Sequence, residues 1–159
     1  TAPTEIYTLS LHDALPIWKI SVIRRALKVN APYPHDPMDI LAKLGGFDIA
    51  GMAGLLLGGA ECGIPVVIDG VISAAAACIA EMISPGCRDF MLPSHISNEP
   101  AAKLLLDRLG LSAPITAGFH LGEGTGGIML LPLLDGALSV YYGAHRFDDM
   151  NMERYTELT

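Results

Sequence analysis

Ile64-Pro65-Val66-Val67-Ile68-Asp69-Gly70 is the stretch whose reading decides the fold class. Its apolar core is short, continuous and rich in β-branched residues, and turn residues bound it, which is how a strand buried on both faces reads. Upstream the pattern is helical. Lys19 to Lys28 reads as the end of one helix, and the prolines of Asn30 to Pro37 enforce an extended connection. Asp36 then offers an N-cap with Pro37 at the first helical position, predicting a short helix over Met38 to Leu44 that Gly45 and Gly46 stop. A further helix fits Phe47 to Cys62, with Ile49, Met52, Ala53 and Leu56 on one face and Gly63 as its stop.

Downstream, strand and helix alternate. Val71 to Ile83 is an alanine-rich helical stretch broken by Pro85 and Gly86, and Phe90-Met91-Leu92 is a second short apolar run ending at Pro93-Ser94-His95. Ser97 or Asn98 can cap a helix reaching Leu109, with Gly110 behind it. Ile115 to Leu121 gives a third run, then comes Gly122-Glu123-Gly124-Thr125-Gly126-Gly127, then a helix from Ile128 to about Tyr142 that Pro132 kinks or delays. The expected fold is α/β, a partial doubly wound parallel sheet with right-handed helical crossovers. Ligands in such sheets bind beyond the carboxyl ends of the strands, so Asp69, the group Ser94, His95 and Ser97, and Glu123 are expected to face one cleft.

Composition narrows the function classes. The 159 residues are 51% hydrophobic and 17% charged, which fits one well-buried domain and excludes disorder. A formal net charge of -7 gives no field to attract nucleic acid or an anionic membrane surface. The basic residues Lys19, Arg24, Arg25 and Lys28 have no interleaved aromatics and read as a solvated helix face. No apolar run reaches the ~18 residues of a membrane span, because Glu61, Asp69 and Glu81 interrupt the best candidates. Cys62, Cys78 and Cys87 lack the paired spacings of zinc sites, and their odd number fits reduced thiols in a cytoplasmic protein. Glu5 to Ile17 resembles a translated sequencing adapter, so residues 1–18 are set aside as a non-native segment and the functional reading begins at Lys19.

The glycine loop carries the most chemistry. Glycines let a ligand approach the main chain, but a phosphate cradle points N–H groups at negative charge, and a carboxylate in its middle opposes that. Glu123 therefore reads as a general base, its pKa brought towards neutrality by partial burial, or else as a solvent-exposed loop acid. Asp69 either orients a ligand or caps the helix that follows it, and Ser97 either holds a phosphate or is an ordinary N-cap. His95 and His120 without a matching carboxylate or thiol are a weak metal signal. Asp149, Asn151 and Glu153 fail as a calcium loop, because Arg154 stands where glycine is needed. Ser94 and Ser97 lie in no nucleophile elbow. Gly122, Gly124 and Gly127 do satisfy the dinucleotide-binding spacing, so a Rossmann-like domain is the rival reading, although no clear strand precedes Asp148 or Asp149 at the acidic position.

Four co-linear motifs suggest a family. The segments Gly45 to Gly54, Pro65 to Gly70, Leu92 to Glu99 and Leu121 to Gly126 together resemble nicotinate-nucleotide:dimethylbenzimidazole phosphoribosyltransferase. The resemblance implies transfer of phosphoribose from nicotinate mononucleotide to 5,6-dimethylbenzimidazole, giving α-ribazole 5′-phosphate and nicotinate in cobalamin lower-ligand synthesis. It implies that Glu123 is the catalytic base, that Asp69 and Gly70 line the nucleotide pocket and that Ser97 contacts the nucleotide phosphate, while Gly122 and Gly124 read as substrate-binding glycines that make space for flat aromatic rings and a ribose. It also implies no metal or organic cofactor, a homodimeric full-length enzyme, and a small helical domain to which the C-terminal segment contributes. The family's amino-terminal loop and a second glutamate have no match here, so residues 19–159 are expected to form only the C-terminal part of the α/β domain and to lack useful turnover alone. A non-catalytic nucleotide-binding remnant is the reading from another class.

Overall fold

The computed structural model describes residues 18–119, 123–145 and 148–150. Helix α1 spans 18–30, and the basic residues on it are exposed, the solvated face that its charge pattern implies. Helix α2 covers Pro37–Leu44, where the Asp36 carboxylate accepts from the N–H groups of Met38 at 2.9 Å and Asp39 at 3.1 Å. Such a cap contributes about 1 kcal/mol. Helix α3 is Phe47–Glu61 and turns Ala53 and Leu56 inward.

Strand β1 is Val66–Ile68, helix α4 is Gly70–Ile83, a 3-10 turn covers Cys87–Phe90, and strand β2 is Met91–Pro93. Helix α5 follows at Pro100–Leu109, helix α6 at Thr125–Gly143, and a second 3-10 turn at Asp148–Met150. β1 and β2 pair as a two-stranded sheet, and an isolated parallel bridge joins His95 to Ile115. The α/β class holds, with more helix and less sheet than the pattern of apolar runs suggests.

The described residues fall into two compact units, one from 18–66 and 72–91, the other from 67–71 and the described part of 92–150. In the first unit α4 buries Ala74, Ala76, Ala77 and Ala80, small side chains that admit close approach of neighbouring backbone. In the second, Ile68, Ala102, Leu106, Leu109 and Leu130 form the apolar core around two buried polar residues, Ser94 and His95. Fully burying a leucine of this kind stabilises by about 1.5–3 kcal/mol.

Four expectations need correction. β1 is not covered on both faces: only Ile68 is buried and Ile64 is 59% exposed, because a two-stranded sheet offers few neighbours. The third apolar run contributes a single bridge at Ile115 among its described residues and no strand. Neither Ser97 nor Asn98 caps α5. Glu99 holds that position without a side-chain bond, and Pro100 at the first turn has no N–H that needs one. Pro132 does not delay α6, which starts at Thr125 and runs through it.

Candidate active site

The site is built at the end of β1, within the second unit. Asp69 directly follows the strand, its side chain 19% exposed, and its two oxygens each accept a backbone N–H from the glycine loop. Oδ2 accepts from Gly124 at 2.9 Å and Oδ1 from Gly127 at 3.0 Å. Gly124 is the N-cap of α6 and supplies no side chain of its own, so Asp69 performs from a distance the bond that a local Ser or Asp would make to the third helical N–H. Its carboxylate also sits at the positive end of the helix dipole, a favourable place for an anion. Asp69 therefore caps α6, more than fifty residues further along the chain.

The main chain turns sharply at this point. Glu123 has φ 63° and Gly124 φ 83°, two successive left-handed residues. Glycine adopts this without penalty, whereas a glutamate gives up about 1 kcal/mol. The Glu123 side chain is exposed, so the partial burial expected for a general base is not present among the described residues.

Beneath the turn lie Ser94 and His95, 0% and 4% exposed. The Ser94 hydroxyl donates to the Ile68 carbonyl at 2.8 Å, and the Ser94 N–H bonds the same oxygen at 3.0 Å. With its one proton committed there, Ser94 Oγ meets His95 Nδ1 at 2.9 Å as acceptor, which puts a proton on Nδ1. His95 Nδ1 also lies 3.6 Å from Asp69 Oδ1, and the His95 ring packs edge-on against Phe119 at 5.2 Å. Gly126 completes the arrangement, since a Cβ there would overlap the His95 ring and sit 2.7 Å from Asp69 Oδ1. Only glycine lets the first turn of α6 approach so closely.

Asp69 and the Glu123-Gly124 turn are thus brought together. Gly70, with φ 81°, opens α4 immediately after Asp69. Ser97 is half-buried two residues beyond His95, and its hydroxyl accepts from the Glu99 N–H at 3.4 Å, a turn-like bond within its own loop. Gly122 and His120 lie outside the described residues. Ser94 and His95 are expected from the sequence at a strand end facing the cleft but are assigned no catalytic or binding role; a polar pair directly after a buried strand is the signal that points to one. Among the described residues no group of three or more His, Cys, Asp or Glu side chains could hold a metal ion. The dinucleotide reading loses its footing here, because two of the N–H groups that a pyrophosphate would use already bond the Asp69 carboxylate.

Comparison with known proteins decides the lineage. A family model described as phosphoribosyltransferase matches residues 10–152. The chain belongs to the phosphoribosyltransferase family typified by nicotinate-nucleotide–dimethylbenzimidazole phosphoribosyltransferases. It is 46% identical over 123 residues to the proteins of that name from Escherichia coli (strain SE11) and Shigella sonnei (strain Ss046), covering 77% of this chain and 34% of each relative. Among solved structures, CobT of Thermus thermophilus superposes with a TM-score of 0.74 at 34% identity, over 84% of this chain and 39% of that one. A second structure, a nicotinate-nucleotide–dimethylbenzimidazole phosphoribosyltransferase of the same organism, gives 0.70 at 34% identity, over 77% and 37%. The chain spans about a third of the length of the curated relatives it matches.

Proposed function

We propose that residues 19–159 supply the C-terminal part of an enzyme that moves phosphoribose from nicotinate mononucleotide to 5,6-dimethylbenzimidazole. The observation that carries this reading is Glu123, an acid held in a left-handed turn at the start of α6 directly beside the Asp69 clamp. One benzimidazole nitrogen attacks the anomeric carbon while the N–H of the other gives its proton to the Glu123 carboxylate. The bond from that carbon to the pyridinium nitrogen breaks with its electron pair, so nicotinate leaves with a neutral ring and needs no acid. A base is required, and one carboxylate suffices.

In this reading Gly70 borders the nucleotide, Gly122 and Gly124 make room for the aromatic rings and the ribose, and Ser97 meets the phosphate, while Asp69 stands behind the Glu123 turn. The full-length enzyme works without metal or organic cofactor, as a homodimer in the cytoplasm. The 159-residue chain alone does not turn over. The exposed apolar residues around α6, with Ile128 67%, Leu131 53% and Val140 70% exposed, support a larger assembly as the working form.

The test is Glu123→Gln in the full-length enzyme that carries this chain. The expected result is a fall in kcat of about 10²–10⁴-fold with nicotinate mononucleotide binding retained. Unchanged turnover would remove Glu123 from the mechanism, and α-ribazole phosphate formation by the 159-residue chain alone would remove the claim that it needs its upstream part.

A further inference from the structure

We propose that Asp69 is a positioning residue for Glu123 rather than a contact to substrate, an inference that rests on Glu123 being the base. Each Asp69 oxygen accepts an N–H from the residues that follow Glu123, Gly124 at 2.9 Å and Gly127 at 3.0 Å. Those two bonds fix the main chain on the C-terminal side of Glu123 and hold it in the left-handed turn at φ 63°. Asp69 is itself seated from below: it extends from the end of β1, and His95, anchored by Ser94 to the Ile68 carbonyl, stands 3.6 Å from Oδ1. Gly126, where any side chain would collide with the His95 ring and crowd Asp69 Oδ1, lets the start of α6 seat directly on the pair. The cluster Ser94, His95, Asp69 and Gly126 thus forms a bracket between the strand end and the base-bearing turn. A displacement of ~1 Å at a reacting group costs about 10²-fold in rate, so such a bracket acts on kcat.

The experiment compares Asp69→Asn, Glu123→Gln and the double variant in the full-length enzyme, with hydrogen exchange over the Glu123–Gly127 segment measured by mass spectrometry. Asparagine keeps one acceptor oxygen and loses the other. The expected result is kcat lowered by about 10²-fold in Asp69→Asn, KM for nicotinate mononucleotide little changed, faster exchange over the segment, and no further loss in the double variant. A raised KM with kcat retained, or losses that multiply in the double variant, would overturn the positioning role. Full activity in Glu123→Gln sinks the base assignment instead, a result separate from the Asp69 outcome. If Asp69→Asn does not fold, the unaltered enzyme still decides: unprotected exchange over Glu123–Gly127 shows that the bracket does not hold the turn.

Discussion

Of the carboxylates that hold backbone N–H groups, Glu81 reaches across a neighbouring turn and Asp69 across a third of the sequence. In the first unit Glu81 accepts from Gly86 N–H at 3.0 and 3.2 Å and from Arg88 N–H at 2.8 Å, groups five and seven residues away. In the second, Asp69 bonds groups 55 and 58 residues away. Burial does not separate them, since the side chains are 20% and 19% exposed. What separates them is whether the donors can reach water: those at Glu81 are exposed and those at Asp69 are part-buried. A short-range carboxylate stabilises its own turn. A long-range one ties two segments together and so fixes whatever chemistry lies at the join.

The largest expected effects are at Gly126, where Ala would overlap His95 and crowd Asp69, and at Asp69 itself. Gly126→Ala should cost about 1–3 kcal/mol in a denaturant titration, the range for overpacked sites. A neutral result would place α6 further from the strand end and break the long-range half of the comparison. Of the two carboxylates, Glu81 comes second. Asp69→Ala leaves two part-buried donors without their acceptor and should cost about 1–3 kcal/mol, whereas Glu81→Ala, whose donors can turn to water, should cost about 1 kcal/mol. The reverse order, read from paired unfolding midpoints, would show that solvent access does not set the difference.

The smallest effect belongs to Asp39, on α2. The hydrogen bond from Lys43, and then the Tyr33 N–H, hold its carboxyl below the usual carboxylate range. Because the folded value is lowered, the stabilisation is present above the unfolded value near 3.8 and is lost as pH falls through the lowered folded value. Asp39→Asn should therefore narrow the stability difference between neutral and acid pH only slightly, and salt should shrink the effect further because the pair is exposed. A large change in the pH dependence of unfolding would show that a local, solvated pair can rival the buried clamp.

The same distinction explains what could be read from sequence. Asp36 and Pro37 announce the start of α2 because cap and donors lie within three residues, and Gly110 closes α5 for a similar reason. Strand β1 was legible from the change of period at Ile64, and its end from Asp69-Gly70. The role of Asp69 was not, since its partners lie more than 50 residues on and only the folded second unit brings them together. Nor could an apolar run at Ile115 reveal that it would pair at a single bridge, because pairing depends on a neighbour that the run does not encode. His95 showed too little metal-ligand spacing to stand out, and its bond to Ser94 becomes informative only once Ser94 is seen to spend its proton on Ile68.

The left-handed backbone at Glu123 gives this site a signature of compromise. Glycine or asparagine at that position would relax the main chain by up to ~1 kcal/mol, so selection for stability alone would replace the acid. An engineer seeking a more robust protein would be drawn to that position first, and the gain in stability would come with loss of the carboxylate proposed as the proton acceptor. Positions where the most stable residue and the reactive residue differ are the ones that thermal screening must leave untouched.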